Sequence, residues 1–301
     1  MTSFEAMVAE AKMAAEGRAS LVPLARLREA SRLVPGAISA LSSLRTDDRA
    51  VTVIAEVKRS TATFADLSGV GDPGMLACFY AAGGAACVSV VTGPSATRGS
   101  LKDLDAVRAS VDLPVLANDL VVTPYQVHEA RAHGADLLML DARLEPLVLE
   151  GLIERVHSLG MGAVVEVRTR REALTAVDAG ACIVAIDTRD PDTLAVDCSL
   201  FDQVTDVLPA QVVRIAAGGV RGPHDVMSFA RCGADVVLVG EAIIRSTDPQ
   251  QFVAELVAAG HHVLQLGRHA VLHVGVIAAV GQIAAVVLHV QARAGHAGRG
   301  R

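Results

Sequence analysis

The chain alternates between two hydrophobic periods. Short, continuous apolar runs are each followed by a stretch in which apolar residues recur every three or four positions. The runs are VTVIAEVK (51–58), CVSVV (87–91), PVLAND (114–119), DLLMLDA (136–142), AVVEVR (163–168), CIVAID (182–187), VVRIAAGG (212–219) and DVVLVGE (235–241). Runs that are apolar throughout, rather than alternating, read as parallel strands buried on both faces. The stretches between them, such as 100–110, 123–134 and 169–180, tend to begin on a capping residue and end on glycine. Gly134, Gly160, Gly180 and Gly233 each stand just before the next strand. A ninth helical pattern, DPQQFVAELVAAG (248–260), follows the eighth run. Eight strand–helix units over residues 51–260 predict an α/β chain of the (β/α)8 TIM barrel class. An open, doubly wound sheet is the competing architecture. Two further helical patterns, roughly 3–17 and 22–34, predict an N-terminal helical extension over residues 1–50, and an apolar tail occupies 261–301.

Composition narrows the class. Of the 301 residues, 51% are hydrophobic and 20% charged, too apolar a mixture for a disordered chain. The formal charge of −6 hides an asymmetry: residues 1–260 carry a net −10, while the tail holds four Arg, no acid and six of the ten His. An acidic body with 3% aromatic residues and no Trp offers neither the basic face nor the stacking platforms of a nucleic-acid binder. Cys78, Cys87, Cys182, Cys198 and Cys232 are odd in number and form no C-x-x-C pair, so they read as reduced thiols of a cytoplasmic protein, mostly small core fillers. The first twenty residues contain acids and no apolar core, unlike a signal peptide.

Residues 270–292 carry no charge and are long enough to cross a bilayer. His273, Gln282 and His289 interrupt the hydropathy, and three Arg follow the segment. That bias would place the barrel outside the cytoplasm. The expectation is therefore an appendage on the barrel or an oligomer contact rather than a membrane anchor. The six tail histidines have no regular ligand spacing, so no metal site is expected there.

Barrels of this class keep their chemistry at the C-terminal ends of the strands. Those ends read Glu56 and Lys58, Asn118 and Asp119, Asp141 and Arg143, Glu166 and Arg168, then Asp187, Arg189 and Asp190. Gly218 and Gly219 follow on the seventh strand, Gly240 and Glu241 on the eighth. Ionisable groups converging on one mouth suit acid–base chemistry. Each alone is as readily a loop cap or a salt-bridge partner; Glu56-x-Lys58 opposite Glu166 is the combination that points to function. The glycines of strands 7 and 8 match the usual barrel phosphate cradle of backbone N–H groups and a short helix start. Tight βα turns are the plainer explanation of the same glycines.

With these segments in view, the chain resembles the indole-3-glycerol-phosphate synthase family of tryptophan biosynthesis over about residues 50–260. The matching segments include VIAEVKRS (53–60), AAGGAACVSVVT (81–92), GSLKDLDAVRASVDLPVL (99–116), TPYQVHEARAHGADLLML (123–140), VVEVR (164–168), GGVRGPHDV (218–226) and GADVVLVGEA (233–242). The resemblance implies a carboxy-lyase that closes an indole ring on 1-(2-carboxyphenylamino)-1-deoxyribulose 5-phosphate, with loss of CO2 and water. It implies a small phosphosugar substrate and neither metal nor organic cofactor. By motif, Glu56, Lys58 and Glu166 resemble the acid–base residues, and Gly219 and Gly240 the phosphate-loop glycines. Asn118 and Asp187 complete the candidate catalytic set; Gly218, Gly219, Gly240, Glu241, Arg189 and Asp141 are candidates for holding substrate and phosphate.

The sequence also departs from the family pattern. Where the family has Arg-Lys-Asp-Phe at the end of strand 3, with the Lys a principal general acid, this chain has Ala117, Asn118, Asp119 and Leu120. The Ser-Pro-Ser of the first loop is replaced by Thr61, Ala62 and Thr63. Asp187 stands for an Asn, and Ala217 and Gly218 stand for a Glu and a Ser. Asp141 and Arg143 are gains on strand 4. Two alternatives therefore stay open: an isomerase-like phosphosugar enzyme using Asp187 with Glu56 or Asp141, and a non-catalytic paralogue that binds a phosphorylated ligand. The oligomeric state has no signature in the sequence.

Overall fold

A computed structural model describes residues 3–46, 50–60, 71–93, 99–189, 196 and 198–262. Eight parallel strands close into a barrel in sequence order: β1 (Thr52–Val57), β2 (Cys87–Val91), β3 (Val115–Asn118), β4 (Leu137–Asp141), β5 (Gly162–Val167), β6 (Ile183–Asp187), β7 (Val213–Ala217) and β8 (Val236–Val239). β1 pairs with both β2 and β8, which excludes the open sheet. Six of the strands are shorter than the apolar runs that announced them, because residues such as Pro114, Asp119 and Gly218 already belong to the turns; β2 matches its run and β5 is shifted by one residue, leaving Arg168 to its turn.

Helices cover the barrel: α4 (Pro73–Ala82), α5 (Leu101–Ser110), α6 (Pro124–Ala132), α7 (Pro146–Ser158), α8 (Arg170–Asp178), α9 (Cys198–Thr205), α10 (Pro223–Arg231), the short α11 (Glu241–Ile244) and a last helix over 249–262. Their starts are local chemistry. Asp72 accepts from the Gly74 and Met75 amides ahead of Pro73, Ser100 from Asp103, and Thr169 from Glu172. Gly134, Gly160, Gly180 and Gly233 all adopt the left-handed conformation (φ 75–91°), so they end helices as expected.

Two apolar layers hold the barrel. Alternate strand residues point inward, and Ile54, Cys87, Leu116, Met139, Val164, Ala185, Ile215 and Leu238 fill the interior. The other set packs against the helices together with Tyr80, Phe201 and Phe229.

The N-terminal extension consists of α1 (Phe4–Leu21), α2 (Leu24–Leu33) and α3 (Leu41–Leu44). α1 runs past the expected end near residue 17, since Gly17 weakens an exposed helix without stopping it. α3 had no sequence signal; Ala40 and Leu44 join the interior cluster and floor the barrel. α1 and α2 lie on α6, whose residues 125–131 are all buried as a result. Arg18 holds Glu129 with two nitrogens (2.8 and 2.9 Å), and the Tyr125 hydroxyl donates to the Val22 carbonyl.

Three expectations need qualifying. Among the thiols whose burial is described, only Cys87 is a core filler; Cys78 and Cys182 are exposed and Cys232 is half-buried, because these three fall on helix surfaces and strand-entry turns. The helix expected at 248–260 continues to 262, so the expected boundary at 261 falls within its last turn. The tail beyond it, Asp190 and Thr61 to Thr63 lie outside the described residues. Among the described residues no helix is long and apolar enough to cross a membrane.

Asp136, 3% exposed, ties the extension to the barrel floor. It accepts from the Ile38 amide (2.8 Å), the Val115 amide (2.9 Å) and Arg108 Nη1 (2.7 Å). Asp136→Ala strands a half-buried guanidinium and two amides, so a loss of about 2–4 kcal/mol is expected in denaturant unfolding. A loss under about 1 kcal/mol, the value of an exposed pair, would show that the extension is not anchored there.

Candidate active site

The period of two that fills the interior also builds the mouth. Two residues above six of the eight apolar interior positions stands a polar one: Glu56 above Ile54, Ser89 above Cys87, Asn118 above Leu116, Asp141 above Met139, Glu166 above Val164 and Asp187 above Ala185; Ala217 and Gly240 stand above Ile215 and Leu238. Two residues further on, four of these columns end in a cation: Lys58, Arg143, Arg168 and Arg189. Each cation folds back on the acid of its own strand. Lys58 Nζ lies 2.5 Å from Glu56 Oε2, Arg143 Nη2 2.5 Å from Asp141, Arg168 Nη2 2.7 Å from Glu166, and Arg189 Nε 3.2 Å from Asp187.

Register links the columns. Glu56 pairs with Ser89 across β1 and β2, and Asp141 with Glu166 across β4 and β5. The buried Glu56 carboxylate accepts from Asn118 Nδ2 (2.9 Å) and Ser89 Oγ (3.2 Å) besides Lys58. Asn118 thus positions Glu56. On the opposite side, Arg168 also reaches Asp187 Oδ2 (3.4 Å) and Asp141 Oδ2 (3.6 Å), so one guanidinium answers three carboxylates. Its buried Nη1 makes no hydrogen bond among the described residues.

Glu56 and Glu166, the two candidate acid–base carboxylates, differ in proton affinity. Burial pushes Glu56 up, but the charge and hydrogen bond of Lys58, the Asn118 amide and the field of Arg189 outweigh it and hold the carboxyl below its ordinary range. Burial pushes Glu166 up as well; Arg168 opposes, Asp187 and Asp141 add to the rise, and the carboxyl stays above its ordinary range. A depressed anion and an elevated acid on opposite sides of one mouth are the arrangement acid–base chemistry requires.

The remaining candidates fall into place unevenly. Gly218 and Gly219 sit at the end of β7 with φ near 80°, and a Cβ on Gly218 would lie 2.6 Å from Arg189 Nε. A Cβ on Gly240 would lie 2.5 Å from Lys58 Cε and 2.8 Å from Glu56 Oε2. Gly240 therefore makes room for the Lys58–Glu56 pair, a role the phosphate expectation did not include. Glu241 begins α11 and pairs with Arg245 (3.4 Å). Asp119 turns away from the barrel interior and accepts from the Leu120 amide. Burial pushes its carboxyl up, against that hydrogen bond and the charge of Arg18. Two participants were missed. Ser89 is the polar residue of CVSVV, at the layer of Glu56, and that lone hydroxyl was its signal. Phe4 stacks under the Arg143 guanidinium, 4.0 Å from ring centroid to carbon, and nothing in the sequence marks that contact.

Residues 4–256 match the family model described as indole-3-glycerol phosphate synthase. A protein of that name from Beutenbergia cavernae is 51% identical over 271 residues, covering 89% of this chain and 100% of the relative. One from Mycolicibacterium smegmatis is 47% identical over 246 residues, covering 81% and 90%. Among solved structures, the thiamine phosphate pyrophosphorylase from Pyrococcus furiosus superposes with a TM-score of 0.56 at 17% identity, over 72% of this chain and 98% of that one. That likeness speaks for the barrel alone.

Arg168→Met should leave Glu166, Asp141 and Asp187 without their shared cation and raise the Glu166 carboxyl further. A raised carboxyl favours folding when protonated, so the variant's stability should fall as pH rises through the new value. Denaturant midpoints at pH 5 and pH 8 measure this: the deficit against the parent should be larger at pH 8. An equal deficit at both would mean that Arg168 contributes packing and not charge.

Proposed function

The chain belongs to the indole-3-glycerol phosphate synthase family, and we propose from that premise that its barrel mouth closes an indole ring. The substrate would be 1-(2-carboxyphenylamino)-1-deoxyribulose 5-phosphate, converted by carbon–carbon condensation with loss of CO2 and water in tryptophan biosynthesis. The observation that carries the reading is the Lys58–Glu56–Asn118 group facing an elevated Glu166.

The reaction needs a proton delivered to the ketone oxygen as the ring carbon attacks, and later that same oxygen, by then a hydroxyl, to leave as water after CO2 is lost. Lys58 is the ammonium at the Glu56 side and is assigned the proton delivery. Glu56 anchors Lys58, and Asn118 orients Glu56. Glu166 is assigned the proton exchange near the anilino nitrogen, for which a raised carboxyl is suited at neutral pH. Arg189 and the Nη1 of Arg168, which makes no hydrogen bond among the described residues, supply donors toward the substrate carboxylate, and Asp141 and Asp187 balance their charge. The backbone at Gly218, Gly219 and Gly240 is assigned the phosphate, with Glu241 at its edge.

The isomerase-like alternative needs Asp141 or Asp187 to pass protons to a substrate. Both are clamped by guanidinium groups, an arrangement that favours charge balance over proton transfer. A non-catalytic paralogue remains distinguishable by assay. Free thiols and the phosphosugar substrate both fit a cytoplasmic setting.

Purified protein given the anilino-ribulose phosphate should produce indole fluorescence. An amide at 118 cannot donate a proton as an ammonium can, so Asn118→Lys should raise kcat by about 10²-fold or more, the usual weight of a general acid. Glu166→Gln should abolish turnover. Absence of product at high enzyme concentration, with ligand-induced thermal stabilisation intact, would overturn the catalytic reading in favour of the binding one.

A further inference from the structure

A second concave site lies at the end of the barrel opposite the mouth. There the residues that lead into α3, 37–41, stand beside those that enter β5 and β6, 160–163 and 182–183, and a cavity of about 240 Å3 lies between them. Its walls are mostly apolar: Ile38, Leu41, Met161 and Ile183, with the exposed His157 and Cys182 beside them. Ile38 and Leu41 are 36% and 49% exposed. The cavity is fixed in place, because Asp136 holds the Ile38 amide and Ala40 and Leu44 belong to the interior cluster. An apolar cavity of roughly 150 Å3 stays dry and takes a benzene. This one therefore has room for more than one aliphatic side chain. Exposed apolar walls around such a space mark a surface that something covers.

A candidate to cover it lies on the same chain. The last helix, 249–262, follows β8 down to the floor. Gly84, which precedes β2, faces Val257, and a Cβ on Gly260 would collide with the Val51 carbonyl at the entry to β1. The tail therefore departs from the floor on the β1 side. In the closed barrel β5 stands four strands from β1, about 19 Å along the wall at the usual strand spacing. Residues 263–270 can span up to about 26 Å. The uncharged stretch VLHVGVIAAVGQIAAVVLHVQA (271–292) thus begins within reach of the cavity. The tail carries four Arg and no acid, against a net −10 over residues 1–260, so charge draws it toward the barrel. A short tether also presents the stretch at an effective concentration on the order of millimolar, well above that of a second copy in dilute solution.

We propose that the floor cavity is the docking site of the chain's own apolar tail, residues 271–288, which covers Ile38 and Leu41. The Val, Leu and Ile side chains of that stretch enter a space lined by side chains of the same kind, and both surfaces leave water in one step. Docked there, the tail also shields Cys182 at the cavity wall. It closes the floor and leaves the mouth untouched, so this role goes beyond the ring closure assigned to the opposite end. The long uncharged stretch then finds its burial within the molecule, and needs no bilayer to cover it.

The test reads the reactivity of Cys182, with Cys78, exposed on α4, as the internal reference. The full chain and a chain ending at His262 are treated with a bulky maleimide, and labelled peptides are followed over time by mass spectrometry. Cys182 is expected to react about tenfold more slowly in the full chain, as for a segment docked roughly nine-tenths of the time. Cys78 should react alike in both. Should the shortened chain fail to fold, the full-length Ile38→Gln/Leu41→Gln variant, altered at two exposed cavity walls, should release Cys182 in its place. A Cys182 rate that neither change raises would overturn the proposal. So would protection that vanishes on about hundredfold dilution, since that assigns the cover to a second copy. Protection that appears only with phospholipid vesicles would equally sink it, by assigning the stretch to a bilayer. Turnover is not read, so the outcome stands apart from that of the ring-closure assay.

Discussion

A carboxylate inside a barrel keeps its charge only where a cation is within reach, and here each strand supplies its own. Positions two apart on a strand point the same way and lie roughly 6.6 Å apart. That is too far for two short side chains to meet, yet right for a long Lys or Arg to fold back on an acid one layer below. Glu56-x-Lys58, Asp141-x-Arg143, Glu166-x-Arg168 and Asp187-x-Arg189 are four uses of one spacing. The desolvation cost of four acids at the top of an apolar core would otherwise be prohibitive. Because the acids lie deeper than the cations, the surface met by an incoming anion is the cationic layer.

Much of this could be read from the chain because it follows from period alone. Strand direction, the interior column and the polar layer above it all come from alternation, and the glycines before each strand marked where helices stop. What could not be read depends on neighbours distant in sequence. That Arg168 serves Asp187 and Asp141 as well as Glu166 follows from register and barrel curvature. Gly240 looked like a phosphate glycine, whereas its closest demand is space for the Lys58 stem arriving from β1. α3 has four residues and no period to detect; its place at the barrel floor is set by the apolar opening it closes.

The exchange of a lysine for Asn118 acts on Glu56 as well as on the chemistry. An ammonium at 118 would give Glu56 a second cation; the amide gives it one neutral donor at 2.9 Å. Glu56 then depends on Lys58 for its charge balance, and the 2.5 Å contact between them must open before Lys58 can turn to a substrate. Under the proposed ring closure, the same side chain is asked both to neutralise and to react. In an arrangement with two ammonium groups those tasks can be divided, which is the physical reason the proposed reading places the effect of residue 118 on turnover rather than on the fold.

The N-terminal extension enters this balance from outside the barrel. Its first helix begins with Phe4 against Arg143, and Arg143 is bound to the Asp141 that Arg168 also faces. Near its end, Arg18 grips Glu129 on α6, whose first turn holds the exit of β3 through Gln126 Nε2 and the Leu120 carbonyl. α1 therefore touches the charged layer at one end and, through α6, the Asn118 strand at the other. Cation–aromatic contact costs Arg143 little of its pairing with Asp141, since the ring takes the face of the guanidinium and the carboxylate takes its edge. The extension is thus part of the electrostatic framework of the mouth, and its residues belong with the strand ends in any account of what the site can hold.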